Sequence, residues 1–212
     1  MISTRLRIAV AGFGPFPGVP KNPSGEIVRA IAKMRRLPTA GIALDTAIFP
    51  TAYGLADAEL ERLIAKKPGA IVLFGVAGRA KHIRVETVAR NRASILHPDH
   101  TRFTPADRRL AAEGAEHLRV RGPAMRMRAA IRNAGVKAEL SRDAGSYLCN
   151  AVFYRALAAT AELKPAPLTF FIHVPPSDSN FSMGMLIRAG EAAVWTAASE
   201  AARVRAVPRR DG

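Results

Sequence analysis

Cysteine is almost absent from this chain, because Cys149 is the only one among 212 residues. A single cysteine excludes an internal disulfide and a multi-cysteine zinc cluster. Two roles remain for it, packing as a small apolar side chain or chemistry as a nucleophile. Composition alone leaves both roles open.

Long hydrophobic runs are absent as well, since no segment reaches the roughly 18 uncharged apolar residues of a membrane-spanning helix. The first residues also lack the apolar stretch and small-residue cleavage site of a signal peptide. We therefore expect no membrane partner and a cytoplasmic location, where a thiol stays reduced. Because 49% of the residues are hydrophobic, we expect one domain over residues 1–212 with a frayed basic tail at 205–212.

Acidic residues and aromatic residues are both scarce. The 17 Asp and Glu are outnumbered by 32 Lys and Arg, which gives a formal charge of +15. Such a charge is compatible with nucleic-acid binding. The basic residues are nevertheless spread thinly and are not interleaved with the aromatic side chains that stack on bases. We interpret them as solvated surface and expect no nucleic-acid partner.

Strand-like and helix-like segments alternate along the chain. Strands are predicted at 6–11, 42–49, 70–74, 83–89, 136–140 and 168–174. Helices are predicted after Asn22-Pro23, around Leu55 to Ile64, and at 124–134, 147–163 and 185–204. This alternation predicts an α/β fold, a three-layer α/β/α sandwich with a twisted, mostly parallel central sheet and a ligand site at the carboxyl ends of its strands. Residues 90–121 show weak periodicity and are interpreted as a long functional loop.

Cys149 follows a predicted strand and turn, and it stands in the first turn of the next predicted helix. The helix dipole and the unpaired N–H groups there favour a thiolate and would stabilise a developing oxyanion. His173 ends an apolar strand just before Pro175 and Pro176, where it could act as general base and acid. The same position is also typical of a core histidine, and that alternative stays open.

A third group would have to orient the imidazole ring and stabilise its cation. The candidates are four carboxylates: Glu86, Asp99, Asp143 and Asp178. Glu86 lies in an apolar predicted strand, where a carboxylate needs a partner to offset the cost of burial. An ion pair with Arg84 or Arg90 would serve that purpose as well as a histidine would. Local pattern does not choose among the four.

The segment 12–18, GFGPFPG, combines three glycines with two phenylalanines. Its prolines remove backbone donors that a pyrophosphate needs, and its third glycine is misplaced for the dinucleotide-binding motif. A dinucleotide is therefore not expected here. Phe13 and Phe16 instead predict an apolar slot for a small flat group, with core packing as the alternative.

Four short blocks of sequence, considered together in their order along the chain, carry a family resemblance. They are GFGPF at 12–16 with NPS at 22–24, GVAG at 75–78 followed by Glu86, DAGSYLCN at 143–150, and FIHVP at 171–175. Together they resemble the pyroglutamyl peptidase I family, also called pyrrolidone-carboxylate peptidases, the C15 cysteine peptidases. The resemblance spans about residues 6 to 176.

The resemblance implies a Cys-His-acid triad that removes an N-terminal pyroglutamyl residue from peptides through a thioester acyl-enzyme. It assigns Cys149, His173 and Glu86 to that triad and places Asp99 near it. The matching substrate-binding positions are Phe13, Phe16, Asn22, Val76, Tyr147 and Leu148. It further implies that no metal and no cofactor is needed, that peptides with N-terminal pyroglutamate are the partners, and that the chain forms a homo-oligomer, often a tetramer.

The chain departs from the family pattern at several positions near the blocks. Val76 stands where some members have glutamine, Arg79-Ala80 replaces a glycine-arginine pair, Leu96-His97 replaces a basic residue followed by an aliphatic one, and Pro17 replaces a glycine. The alternative to an active peptidase is therefore a catalytically weak or inactive member that binds blocked peptide N-termini.

Overall fold

The computed structural model describes residues 5–16 and 19–206. Within these ranges the strands are β1 Leu6–Phe13, β2 Ile42–Phe49, β3 Ala70–Val76, β4 Ile83–Glu86, β5 Val88–Arg90, β6 His117–Arg119, β7 Ala138–Ser141 and β8 Leu168–Val174. The single strand expected at 83–89 is two strands on either side of Thr87, because β4 pairs with β7 and β8 whereas β5 pairs with β6. Both the N–H and the hydroxyl of Thr87 donate to the carbonyl of Ser141, each at 2.7 Å.

The helices of the same ranges are α1 Pro23–Ala32, α2 Arg36–Thr39, α3 Tyr53–Ala65, α4 Ala124–Asn133, α5 Leu148–Ala159 and α6 Met183–Ala206. The short α2 is a helix that periodicity did not indicate. α5 ends before the expected Leu163, because Thr160 and Arg121 take its last carbonyls: the Thr160 hydroxyl donates to Ala156 at 2.7 Å, and Arg121 donates to Leu157 at 3.3 Å. α6 continues through Arg205 into the expected tail, and residues 207–212 lie outside the described residues.

The central sheet has six strands in the order β2-β1-β3-β8-β4-β7. β1 pairs in parallel with β2 and β3, and β3 pairs in parallel with β8. β4 is antiparallel to β8, whereas β7 is parallel to β4. Four strands therefore run one way and two the other, which confirms the predicted mostly parallel sheet. β5 and β6 form a separate antiparallel pair.

Helices cover both faces of this sheet, so the predicted three-layer sandwich is confirmed. α1, α4 and α6 contribute to the core on one face, and α3 and α5 contribute to the core on the other. β3 is buried on both faces, with Val72 and Phe74 in the first core and Ile71 and Leu73 in the second. Its unbroken apolar run is typical of a strand at the centre of a parallel sheet.

Residues 90–121 are organised by side-chain bonds to the backbone, which leave no periodic pattern. The Asn91 amide nitrogen donates to the carbonyls of Ala111 and Gly114 at 2.7 and 3.0 Å. Its oxygen accepts the N–H groups of Leu110 and Ala111 at 2.8 and 2.9 Å. Among the helices described, none is long and apolar enough to cross a membrane.

Candidate active site

Cys149 is the second residue of α5, and its side chain is partly exposed. Its Sγ atom lies against β3, because a Cβ atom on Gly75 would stand 2.8 Å from it. Gly75 is the register partner of His173 across the β3–β8 pairing. The start of α5 therefore lies at the carboxyl ends of β3 and β8, the edge where the sequence predicts a site.

The segment between β7 and α5 reverses the direction of the chain to bring Cys149 to this edge. β7, the strand before it, runs antiparallel to β8, so residues 142–147 must carry the chain back toward His173. The fully buried Asn150 then anchors the start of α5. Its amide nitrogen donates to the carbonyls of Arg90 and Arg92, both at 2.8 Å, and its oxygen accepts the N–H of Arg90 at 2.9 Å.

His173 and Glu86 form a buried pair on adjacent strands. The Nδ1 atom of His173 lies 2.8 Å from Oε1 of Glu86. His173 is 3% exposed and Glu86 is 0% exposed. With Nδ1 held by the carboxylate, the free ring nitrogen is Nε2, which is the one available to Cys149.

The charge state of His173 follows from these neighbours. Burial by itself would lower its pKa, but interaction with Cys149 and then with Glu86 outweighs burial and raises the pKa from 6.5 to about 9. His173 is consequently protonated at neutral pH. A cationic imidazole beside a thiol and a carboxylate is the arrangement that stabilises a thiolate.

The other three candidate carboxylates have different partners. Asp99 accepts the N–H groups of Tyr53, Thr101 and Phe103 at 3.0, 2.8 and 3.0 Å. Burial would raise its pKa, but these hydrogen bonds and that of the Thr101 hydroxyl outweigh burial and lower it.

Asp143 and Asp178 each stabilise a local turn. Asp143 accepts the N–H of Gly145 at 3.1 Å, and Asp178 accepts the N–H of Asn180 at 2.8 Å. Of the four carboxylates weighed from the sequence, Glu86 is the one in contact with His173. It also lies 3.3 Å from Arg84 Nε, so the ion pair considered from the sequence is present beside the contact with histidine.

The two phenylalanines differ in their surroundings. Phe13 is the last residue of β1, is 3% exposed and packs edge-on against Phe49 with ring centroids 5.8 Å apart. It therefore belongs to the sheet rather than to the turn that follows. Phe16 is half-buried, its N–H donates to the carbonyl of Val19 at 3.2 Å, and its carbonyl accepts the N–H of Val19 at 2.8 Å. Residues 17 and 18, including the expected departure at Pro17, lie outside the described residues.

Asn22 uses its side chain within the fold. It is the N-cap of α1, with its oxygen accepting the N–H and the hydroxyl of Ser24 at 3.1 and 2.8 Å. Its nitrogen donates to the carbonyl of Gly14 at 2.9 Å. The Ser24 hydroxyl also accepts the N–H of Phe13 at 3.0 Å. Asn22 thus positions the segment that bears the phenylalanines.

The remaining candidate binding residues surround the start of α5 and the end of β3. Val76 is the half-buried last residue of β3, opposite Val174. Tyr147 immediately precedes α5, and its hydroxyl donates to the carbonyl of Pro98 at 3.0 Å. Leu148, the first residue of α5, is 2% exposed in the core beneath.

Sequence reasoning gave no role to Gly75 and Asn150, although both lie in the quoted blocks. Gly75 leaves the space that the Cys149 Sγ atom fills, and Asn150 fixes the helix that carries the thiol. A glycine inside an apolar strand is a signal for close approach. The amide beside the cysteine carries no such local signal, because its partners are distant in sequence.

A basic concave region lies at the opposite edge of the sheet, beside Leu6 and Gly69. Its volume is about 600 Å³, and its basic residues are Arg5, Arg7, Lys66, Lys67, Lys164 and Arg205. Asp45 pairs with Arg7 and Lys66 at 2.8 and 2.9 Å. None of the predicted site residues lines it. In the described part of the chain, no three His, Cys, Asp or Glu side chains form a group that could hold a metal ion.

Known proteins resemble this chain over most of its length. A pyrrolidone-carboxylate peptidase of Yersinia pestis is 33% identical over 170 residues, covering 80% of this chain and 78% of the relative. One from Streptococcus suis is 29% identical over 199 residues, covering 89% and 91%.

Solved structures resemble it in fold. Pyroglutamyl peptidase I from Bacillus amyloliquefaciens has a TM-score of 0.84 at 25% identity, covering 93% of this chain and 97% of that one. Pyrrolidone carboxyl peptidase from Thermococcus litoralis has a TM-score of 0.86 at 24% identity, covering 96% and 99%. The family model described as pyroglutamyl peptidase, Peptidase_C15, matches residues 6–184. The chain therefore belongs to the pyroglutamyl peptidase family.

Proposed function

We propose that this protein is a cysteine exopeptidase that hydrolyses the N-terminal pyroglutamyl residue from peptides. The main observation in support of the proposal is that a partly exposed thiol, a buried histidine and a buried carboxylate lie together in space, with His173 Nδ1 2.8 Å from Glu86 Oε1. It occurs in a chain of the pyroglutamyl peptidase family. Cys149 is the nucleophile, His173 the base and acid, and Glu86 the group that orients His173.

The reaction begins from the pair of a protonated His173 and the Cys149 thiolate beside it, and the thiolate attacks the scissile carbonyl carbon. The resulting oxyanion is stabilised by backbone N–H groups at the start of α5, which have no partner within the helix. Collapse breaks the C–N bond, and the His173 cation gives its proton to the leaving amine. Water, deprotonated by His173, then hydrolyses the thioester and releases pyroglutamate.

Substrate selection follows from the chemistry of the pyroglutamyl group. Its five-membered lactam is flat and has no free α-amine, so it fits an apolar slot formed by Phe13, Phe16, Val76, Tyr147 and Leu148. Asn22 acts by positioning that slot, since its own amide is occupied. An uncharged slot disfavours an ordinary charged N-terminus, because that charge would lose its hydration without gaining a partner.

The test is turnover of a pyroglutamyl-coumarylamide under reducing conditions, with prolyl- and alanyl-coumarylamide as substrate controls. Cys149→Ser and His173→Asn should each abolish release while leaving the circular dichroism spectrum unchanged. His117→Asn, a change at an exposed histidine of β6, is the matched control and should retain activity. Binding of a pyroglutamyl peptide without any turnover by the wild type would replace the peptidase with the binding module considered from the sequence.

Several features of the proposed enzyme have tests of their own. Residues 1–212 act as one cytoplasmic peptidase domain without metal or cofactor, so activity should survive EDTA and exhaustive dialysis. The absence of a nucleic-acid partner predicts no salt-dependent association with DNA or RNA. A homo-oligomer, as in many family members, predicts a mass above that of one chain in light scattering.

A further inference from the structure

Arg84 extends the buried pair of His173 and Glu86 by one more residue. It lies on β4 as the register partner of His173 on β8, two positions before Glu86 on the same strand. Alternate residues of a strand point to the same face, so Arg84 and Glu86 share one face. The Arg84 Nε atom lies 3.3 Å from Glu86 Oε1, the oxygen that also contacts His173.

The carboxylate needs this second cation because the charge of His173 changes during the proposed reaction. Glu86 is 0% exposed, and its Oε2 atom has no hydrogen-bond partner among the described residues. Whenever His173 is neutral, Glu86 would be a buried anion without a counter-charge, which is strongly unfavourable. Arg84 retains its positive charge throughout. It therefore compensates Glu86 in the steps in which the histidine does not.

Arg84 also reaches the segment that leads to the nucleophile. Its Nη2 atom donates to the carbonyl of Asp143 at 3.4 Å. Asp143 belongs to residues 142–147, which carry the chain from β7 back to Cys149. A single guanidinium group thus contacts both the acid of the triad, as an ion pair at 3.3 Å without a hydrogen bond from Nε, and the loop before the nucleophile, through its Nη2 hydrogen bond.

The other charged groups near this arrangement come from each neighbouring element. Cys149 faces His173 from α5. Glu139 is the register partner of Arg84 on β7, but it is shared between Arg128 and Arg132 at 3.7 and 3.9 Å. The Asp143 carboxylate lies 3.6 Å from Arg90. Among the described residues, Arg84 and His173 are the cationic side chains within ion-pair distance of Glu86.

We propose that Arg84 is a positioning residue of the catalytic site, which holds Glu86 in place and supplies its counter-charge while His173 gains and loses its proton. This inference rests on the proposed function, since it concerns the cycle of the same three residues. Arg84 does not touch the substrate. Its loss should therefore reduce kcat more than it changes KM.

The experiment compares wild type with Arg84→Leu and Arg84→Lys, using the pyroglutamyl-coumarylamide across a range of pH. For Arg84→Leu we expect kcat to fall by about tenfold or more, because a small misplacement of a reacting group can cost up to about 100-fold. Removing a positive charge favours the protonated states of its neighbours, so the pH profile should also move to higher pH. Arg84→Lys keeps the charge and should restore the profile and part of kcat.

Arg126→Leu is the matched control, because it breaks another arginine-glutamate pair, with Glu200 at 2.9 Å, between α4 and α6. It should leave kcat and the pH profile unchanged. A lower melting temperature for Arg84→Leu with an unshifted pH profile would mean a structural role only and would overturn the proposal. Failure of Arg84→Lys to restore the profile would overturn it too.

Alkylation of Cys149 by iodoacetamide separates this proposal from the proposed function. The rate needs no substrate, and its pH profile should also move to higher pH in Arg84→Leu. If the wild type shows no turnover, the peptidase proposal fails, whereas the alkylation profile still reports on Arg84. An identical alkylation profile in wild type and Arg84→Leu would overturn the role of Arg84 even in an active enzyme.

Discussion

The Sγ atom of Cys149 lies 2.8 Å from the point where a Cβ atom would stand on Gly75. Real Cβ atoms do not approach a heavy atom this closely, so the position of the thiol depends on a glycine in β3. Phe171 closes the other side, since its ring would lie 2.9 Å from the same Cβ. The strand cannot accept a methyl group there without moving the thiol or the ring.

Gly75→Ala is therefore expected to reduce kcat by about 100-fold, because the nucleophile is displaced from its line with His173. The cost of overpacking should lower the free energy of unfolding by about 1–3 kcal/mol. Steady-state kinetics and urea denaturation measure the two effects. Gly54→Ala is the control, because a Cβ at that position in α3 meets nothing within 4 Å. Equal activity of Gly75→Ala and Gly54→Ala would contradict the conclusion that Gly75 makes room for the thiol.

The acid-base behaviour of His173 predicts the alkaline limb of the activity profile. Its pKa of about 9 exceeds the ordinary 6.5, so the imidazolium that protonates the leaving amine is lost as pH rises through about 9. Glu86 contributes to raising that pKa, and Glu86→Gln should therefore move the alkaline limb of kcat/KM to lower pH as well as reduce the rate. Glu59→Gln, on the surface of α3, should leave the limb in place. If the alkaline limb of Glu86→Gln lay at the same pH as that of the wild type, this would contradict the conclusion that Glu86 raises the pKa of His173.

The hydrogen bonds of Asn150 predict that replacing this residue lowers both stability and activity. Replacing it by alanine leaves the backbone carbonyls of Arg90 and Arg92 and the N–H of Arg90 without their partner. These three hydrogen bonds are part-buried, and a typical hydrogen bond contributes about 0.5–1.5 kcal/mol, so we expect Asn150→Ala to lower the free energy of unfolding by a few kcal/mol. The start of α5 should shift, and kcat should fall. Asn133→Ala, an exposed position at the end of α4, should change neither quantity.

The two phenylalanines should respond differently to alanine. Phe13 is buried against Phe49, so Phe13→Ala should cost about 3–5 kcal/mol of stability in addition to any loss of substrate binding. Phe16 is only half-buried, so Phe16→Ala should raise KM with little change in the melting temperature. Thermal denaturation beside Michaelis-Menten kinetics distinguishes the two cases. A large loss of stability in Phe16→Ala with KM unchanged would remove Phe16 from the slot.

Local sequence pattern was sufficient to predict most of the helices and strands. It was insufficient where the bounds of an element depend on residues distant in sequence. The unbroken apolar run of β3 and the Asn22-Pro23 start of α1 were predicted directly, because burial and capping act over a few residues. The break of the 83–89 strand at Thr87 was not predicted, since it depends on pairing with strands distant in sequence: β4 joins the central sheet and β5 pairs with β6. The early end of α5 likewise depends on Arg121.

The amino-acid sequence determined most of the succession of elements, the single thiol, the histidine at a strand end and the motif blocks that carry the family resemblance. Local pattern left four carboxylates open and the family resemblance assigned Glu86, whereas the antiparallel pairing of β4 with β8 is what places Glu86 beside that histidine. The tertiary structure also decided that the side chains of Asn22 and Asn150 are engaged in hydrogen bonds that position the site, that Gly75 makes room for the thiol, and that Arg84 reaches Glu86. These relations join residues far apart in the chain, and spacing along the chain does not encode their distances in space.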